Sequence, residues 1–343
     1  EGQAKFPLAG EMYFTRPALE QATSLAISSY RAQRYAAFAW TADLGCSIGG
    51  DSLALAAVAP VVGIDLDPLR LEMARANLEA AGLTGRAVLL RGDLHQLLPL
   101  GAGSDLALFF DPARRTTSGR VYSIQDYQPP LSVIHGWLED FPALGVKISP
   151  GVKWNEIRAY PAEVEFISLN GDLKEAVLWF GDLKSARRRA TLLPEAASLS
   201  ATDDQPLEAL EIREPGEYIY EPDPAILRAG LVELLGKQLG ACQLDPDIAY
   251  LTADRQLATP FARSWQVEEW FPFQLKQLRQ ALRQRRVGQV TIKKRGSPLE
   301  PEALIRQLRL QGDQQQVVFL THLRGRPIAI LARENLSPPV PGR

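Results

Sequence analysis

Four acidic residues stand where a carboxylate could meet a ligand. Asp43 opens the run Asp43-Leu44-Gly45-Cys46-Ser47-Ile48-Gly49-Gly50-Asp51, and Asp65, Asp93 and Asp111 each close a later apolar run. A glycine-rich turn between a strand and a helix lets backbone approach a ligand closely. Two ligand classes use that geometry. A dinucleotide calls for G-x-G-x-x-G, so that its pyrophosphate rests on a turn without side chains. Here Ser47 takes the place of the middle glycine, which weakens that match. The second class is S-adenosylmethionine, which carries an ammonium, a carboxylate and a sulfonium but no phosphate. Asp43 is placed to attract its cationic methionine portion, over the backbone of Gly45, Cys46, Ser47 and Gly49. Asp65, with Leu66 beside it, could accept both ribose hydroxyls. Asp93 could accept the adenine amino group while Leu94 offers an amide. Each acid taken alone is equally an ordinary helix cap, and one of Asp65 and Asp67 is expected to be one. Cys46 contributes backbone rather than a nucleophile, because no partner base lies near it in sequence.

These residues need a scaffold that brings several strand ends together. Short β-like runs at 38–45, 61–67, 86–93, 105–112 and 144–151 alternate with helical segments at 51–59, 68–81 and 130–141. Such alternation predicts right-handed βαβ units and a parallel sheet. Asn170-Gly171 between VEFISL and EAVLWF predicts an antiparallel hairpin. Upstream, Leu19, Ala22, Ala26, Ile27 and Tyr30 share one face of a predicted helix begun by Thr15 and Pro17. Residues 184–217 are turn-prone and predict a linker with one strand at 189–193; residues 222–240 predict a helix. The segment 261–335 then predicts strand, helix, strand, helix and hairpin. The expected domains are 1–183, a connector at 184–260, and 261–335.

The chain resembles the class I S-adenosylmethionine-dependent methyltransferases. More narrowly, it is similar to bacterial members with a C-terminal THUMP-like domain, relatives of the trimethylguanosine-synthase-like enzymes. The resemblance rests on EQATS (20–24), DLGCSIGGD (43–51), GIDLDP (63–68), GD (92–93), FFDPARR (109–115), VKISPG (146–151), YIYEPDPAILRAGLV and TIKKRG. It implies an α/β, Rossmann-like sheet of five parallel strands plus an antiparallel hairpin, with a smaller C-terminal α+β domain. It further implies S-adenosyl-L-methionine as cofactor and an RNA base as the methyl acceptor.

In methyltransferases of exocyclic amines, an acid- or amide-Pro-Pro-aromatic motif occupies the end of strand four. A conjugated amine is a poor nucleophile and needs acceptors on its hydrogens; Asp111 and the carbonyl of Pro112 could supply them, leaving positioning and electrostatics to do most of the catalysis. Asp111 could afterwards take the proton. This sequence departs from the motif, with Ala113 for the second proline and Arg114 for the aromatic. A guanidinium can stack on a base or bind phosphate; Arg115, Tyr122, Tyr127 and Trp154 are further candidates for holding substrate. Residues 114–130 are either a substrate lid or a solvated loop. Lys147 either meets a substrate phosphate or balances a neighbouring Asp. Glu20, Gln21 and Thr23 belong near the site by resemblance, although helix-surface polarity accounts for them as well.

The chain of 343 residues has a net charge of −2. That near-neutrality is a cancellation, −11 over residues 1–260 against +9 over 261–343. The positive charge clusters at Lys276–Arg286 and at Lys293-Lys294-Arg295. A basic unit on an acidic one suggests a grip on the backbone of tRNA or rRNA; docking onto the acidic front is the alternative. Leu53–Ile64, the longest apolar stretch, is too short to span a membrane. No signal peptide is visible, and two isolated cysteines suit a reducing cytoplasm and offer no metal framework. The expected function is methyl transfer to an RNA base amine, guanine favoured. The alternatives are a protein or metabolite substrate, or a non-catalytic RNA-binding protein.

Overall fold

The computed structural model describes residues 1–96, 98–101, 103, 105–113, 115–116, 119–120, 123–202 and 207–334. They divide into two units, Glu1–Asp204 and Gln205–Arg343.

In the first unit the N-terminal helical face is two helices. The first, α1 (Arg16–Gln21), is capped by Thr15, whose side chain accepts from the Ala18 amide. It stops at Ala22, where ψ turns to 137°, and α2 (Leu25–Ala32) restarts after Ser24. The break leaves Thr23 buried between the helices. The alternating segment follows as β1 (Trp40–Leu44), α3 (Gly50–Val58), β2 (Val61–Asp65), α4 (Pro68–Ala80), β3 (Ala87–Arg91), β4 (Leu106–Phe110), α5 (Ile134–Asp140) and β5 (Leu144–Ile148). Asp67 is the cap of α4, accepting from the Leu69 and Arg70 amides. β6 (Glu163–Leu169) and β7 (Asp172–Trp179) form the hairpin, with Asn170 and Gly171 at φ 54° and 81°. That is the left-handed pair a two-residue turn requires.

The sheet has nine strands in the order β9-β8-β6-β7-β5-β4-β1-β2-β3. Strands β1 to β5 are parallel, and β7 runs antiparallel to both β5 and β6. β8 (Arg188–Leu193) and β9 (Ala197–Ala201) extend the sheet beyond the hairpin. Residues 184–202 are therefore part of the first unit and not a linker.

A buried polar knot explains why β8 belongs here. Glu163 and Glu165 point inward from β6 and are fully buried. Glu163 accepts from Arg34, Arg189 and the Ser185 and Ala186 amides. Glu165 accepts from Tyr30, Arg34, Trp179 and Thr191. Burial alone would raise the Glu163 carboxyl, but its cationic and amide donors hold it at about 2.

The second unit holds β10 (Tyr218–Pro222), α6 (Pro224–Arg228), α7 (Val232–Leu239), β11 (Cys242–Asp245), β12 (Ile248–Ala253), β13 (Ala262–Pro272), α8 (Leu275–Gln284), β14 (Val287–Lys294), α9 (Pro301–Leu308), β15 (Gln314–Leu323) and β16 (Arg326–Glu334). Its seven strands lie in the order β11-β12-β10-β13-β16-β15-β14. The expected helix at 222–240 breaks into two at Gly230, which has a φ of 63°. Residues 218–253 supply three strands to the same sheet as the tail, so they are not a connector. Helices α8 and α9 bury Leu278, Leu282, Leu304 and Leu308 against one core of this unit. No described helix is long and apolar enough to cross a membrane.

Candidate active site

The order of the first sheet reverses at β1 and β4. In open α/β sheets, ligands gather in the crevice at such a point, outside the carboxyl ends of the strands. A cavity of about 450 Å³ lies there, lined by the loop after β1, the ends of β2, β3 and β4, and Glu20 and Gln21 of α1.

The loop after β1 alternates in backbone hand, with Gly45, Ser47 and Gly49 at φ 79°, 49° and 79°. Ser47 therefore holds a conformation that glycine would adopt more readily. The Gly45 and Cys46 amides both donate to the Ile64 carbonyl, at 2.8 and 3.0 Å. The Ser47 amide donates to Asp65 Oδ2 at 2.8 Å. These three N–H groups are thus committed inside the protein. A pyrophosphate would find none of these three available, which further weakens the dinucleotide reading.

Asp65 also accepts from the Asp67 amide through Oδ1, at 2.9 Å, and still lines the cavity. Leu66, 60% exposed, offers an apolar surface at the cavity wall. Asp93 lines the cavity with Leu94 and accepts from the His95 amide at 3.0 Å. The wall is acidic, with Glu20, Asp51, Asp65, Asp93 and Asp111 contributing to it. Such an acceptor set suits a cationic nucleoside bearing ribose hydroxyls and an amino-substituted ring.

Asp43 is not in that wall. It lies under α3, 1% exposed, and accepts from Ser52 Oγ at 2.6 Å. Burial, reinforced by Asp51, pushes its carboxyl up to about 8. Side-chain alternation along β1 turns position 43 to the helix-covered face. The acid that reaches the cavity here is Asp51, in the first turn of α3. It is held by the buried Arg31, which also pairs with Glu175 and lies over the Phe109 ring. Asp51 stood in the glycine-run motif, and its place in a first helical turn was the available signal. Nothing local marks Arg31 or Glu175, whose partners are distant in sequence. Burial, together with Asp43, drives the Cys46 thiol well above its ordinary range, consistent with a backbone contributor.

At the end of β4, Asp111 and the buried Pro112 line the cavity. Lys147 of β5 is 3% exposed; its Nζ donates to Asp111 Oδ2 at 2.5 Å and to Thr23 Oγ1 at 2.7 Å. Lys147 thus balances the neighbouring acid and is not open to a substrate phosphate. Thr23 earns its place through the break between α1 and α2. An added Cβ at Gly45 would sit 3.6 Å from the Asp111 carbonyl, so the loop and this strand end nearly touch.

The other substrate candidates fare differently. Tyr127 is buried, with its hydroxyl accepting from the Ser149 amide at 2.9 Å. Trp154 packs 5.9 Å from the Phe166 ring and does not line the cavity. Neither stands ready to stack on a base. Arg114 and Tyr122 lie outside the described residues, and Arg115 begins a two-residue ribbon with Gly119–Arg120. Ala113 and Gln128 exchange two backbone hydrogen bonds of 3.1 Å, closing the neck of this loop beside the cavity. The Ile124 amide and Ser123 hydroxyl both donate to Glu156. Residues 123–130 are therefore docked, not a solvated stretch.

The chain is 38% identical over 316 residues to an uncharacterized S-adenosylmethionine-dependent methyltransferase of Mycobacterium tuberculosis, covering 90% of this chain and 84% of that one. It belongs to the S-adenosylmethionine-dependent methyltransferases. Its cofactor is S-adenosyl-L-methionine. Residues 262–334 of the methyltransferase match the THUMP domain-like family. A shorter stretch of 89 residues is 37% identical to an uncharacterized RNA methyltransferase of Parasynechococcus marenigrum, covering 26% of this chain and 19% of that one. The crystal structure of a protein of Porphyromonas gingivalis W83, described as a methyltransferase, shares the fold. Its TM-score is 0.81 at 24% identity, over 97% of this chain and 87% of that one.

Proposed function

We propose that this methyltransferase modifies an exocyclic amine of an RNA base, with guanine favoured and tRNA or rRNA as the carrier. The observation that carries the reading is the carboxylate of Asp111, fixed by Lys147 at the edge of the cofactor cavity. Bound S-adenosylmethionine supplies an electrophilic methyl group on sulfur. Asp65 would hold the ribose hydroxyls, Leu66 the ring face, and Asp93 with the Leu94 amide the adenine edge. Asp51 would take over from Asp43 in meeting the ammonium. The Gly45–Gly49 loop would lie against the methionine portion with its backbone.

Asp111 and the Pro112 carbonyl would accept the two amine hydrogens, turning the nitrogen lone pair toward the methyl group. The N–C bond would form as the S–CH3 bond breaks, leaving a neutral thioether, and one amine proton would leave through Asp111 to solvent. The match of residues 262–334 to the THUMP domain-like family supports RNA as the carrier. The partial likeness to an RNA methyltransferase supports it as well. Cysteine usage supports a cytoplasmic setting.

Mass spectrometry of nucleosides from cellular RNA, with and without the gene, tests the reading. One methylated nucleoside should disappear and return with the wild-type gene but not with Asp111→Ala. An unchanged nucleoside profile would overturn the RNA assignment.

A further inference from the structure

The basic residues of the THUMP-like segment fall into two populations. Lys293 and Arg295 both turn to Glu221, at 2.5 and 3.8 Å, and lie over the Trp265 and Tyr250 rings. Lys294 pairs with Glu300 at 2.8 Å. Each member of the Lys-Lys-Arg cluster that dominates the sequence is thus already paired within its own unit, three cations on two carboxylates. Arg285, Arg286 and Arg333 are likewise paired, with Glu269, Asp313 and Glu268.

Eight of the fourteen basic residues in 262–334 have no ion-pair partner among the described residues. Five of those eight, Lys276, Arg279, Arg283, Arg306 and Arg309, belong to α8 and the end of α9. On α8 they recur at three- and four-residue steps, so they share one side, beside the stripe of the buried Leu278 and Leu282. Arg306 and Arg309 share a side of α9, with Glu302 the one acid on that stripe.

A groove of about 330 Å³ runs between these helices, lined by Arg279, Ala303, Arg306, Gln307 and Arg309. Arg279 Nη2 donates to the Gln307 carbonyl at 2.7 Å, while its Nε is buried with no hydrogen-bond partner. Arg309 closes the helix in the left-handed region, at φ 50°, where a side chain is rarely placed.

We infer that this groove, and not the Lys-Lys-Arg strand, seats backbone phosphates of the RNA substrate. The inference rests on the RNA reading above. Guanidinium forks match a phosphodiester with paired, charge-assisted hydrogen bonds. Arginines without internal carboxylates give up no existing ion pair to make those bonds. The orphaned Arg279 Nε would gain an acceptor from a phosphate oxygen.

Fluorescence anisotropy of a labelled RNA hairpin, titrated with the full-length protein over a salt series, tests this. Two variants remove equal charge from exposed arginines: Arg306→Gln/Arg309→Gln in the groove, and Arg263→Gln/Arg326→Gln away from it. The groove variant should lose at least about ten-fold in affinity and flatten the slope of log K against log salt by about 1.4, two contacts at roughly 0.7 each. The matched control should stay within about two-fold of wild type. Arg306→Lys/Arg309→Lys, which keeps charge but loses the fork, should fall between, and melting curves verify that each variant is folded.

Equal losses in groove and control variants would mean a diffuse field and overturn the seat. Groove-variant binding like that of wild type, with wild type binding and methylating RNA, would overturn the seat alone. Wild type that binds no RNA would overturn the RNA reading first and the seat with it. Tighter binding of labelled polyglutamate than of RNA would assign the groove to an acidic protein segment and overturn the phosphate assignment.

Discussion

Replacing Lys147 by Met isolates the ion pair at the proposed catalytic centre. The lysine side chain is 4% exposed and that of Asp111 22%. Met keeps most of the volume but leaves the carboxylate without its ammonium, and Thr23 without the donor now 2.7 Å from its hydroxyl. Breaking a buried pair from one side costs about 3–5 kcal/mol. Because Asp111 retains some contact with solvent, the low end applies, about 3 kcal/mol. For a unit of this size, each kcal/mol moves the melting temperature by about 2–4 °C, so calorimetry should show a fall of about 6–12 °C. The double variant Lys147→Met/Asp111→Leu removes both charges and should recover at least about 1.5 kcal/mol of that loss. Methyl transfer should fall in both variants and should not return in the double variant. Stability would then recover without activity, which separates the structural part of the pair from the chemical part. If Lys147→Met melts within about 2 °C of wild type, or the double variant melts no higher than the single, the pair does not carry the energy assigned to it.

Four other perturbations have distinct signatures. Asp65→Ala removes the acceptor of the Ser47 and Asp67 amides as well as the proposed ribose contact; calorimetric titration should show S-adenosylmethionine affinity down at least about ten-fold. Asp67→Ala, which loses only the α4 cap, should cost about 1 kcal/mol of stability and leave affinity within about three-fold. Gly49→Ala places a Cβ 3.2 Å from that of Ala74 at a φ of 79°; it should destabilise by about 1–2 kcal/mol in urea unfolding, and no loss would contradict the left-handed requirement. Because Glu163 is held at about 2 against an ordinary 4.5, its stabilisation is complete above pH 4.5 and disappears as pH falls through 2. Between those limits wild type should lose about 3 kcal/mol through this group, and Glu163→Gln should show a correspondingly shallower acid transition.

The parallel half of the catalytic sheet is legible because each strand is an apolar run ended by an acid or turn, and the Asn-Gly turn is a local signal of the hairpin. Asp65, Asp93 and Asp111 stand in the cavity wall because strand ends are readable from a single segment. Asp43 turns away from the cavity, and its orientation depends on which face of β1 the helix α3 covers, which no local signal carries. Burial could not be inferred for Glu163 and Glu165 because their counter-charges come from Arg34 and Arg189, distant in sequence. The same blindness to remote partners hid Glu221, and so made Lys293 and Arg295 look like free charge. Residues 184–260 looked like a connector because β8 to β12 are short and separated by turns. Their pairing is decided by partners elsewhere in the chain.

Strand β13 has consequences for anyone dissecting the molecule. Its first half, Ala262–Gln266, pairs with β10, and Trp265 packs in a core with Ile219, Leu244 and Tyr250. A fragment begun at the family boundary near residue 262 would strip that pairing and leave an unpaired edge beside an uncovered tryptophan. Such edges recruit other chains. The smallest excisable piece therefore begins near Gln205, where the second unit starts, and fragments cut at the family boundary should aggregate before their affinity for RNA can be measured.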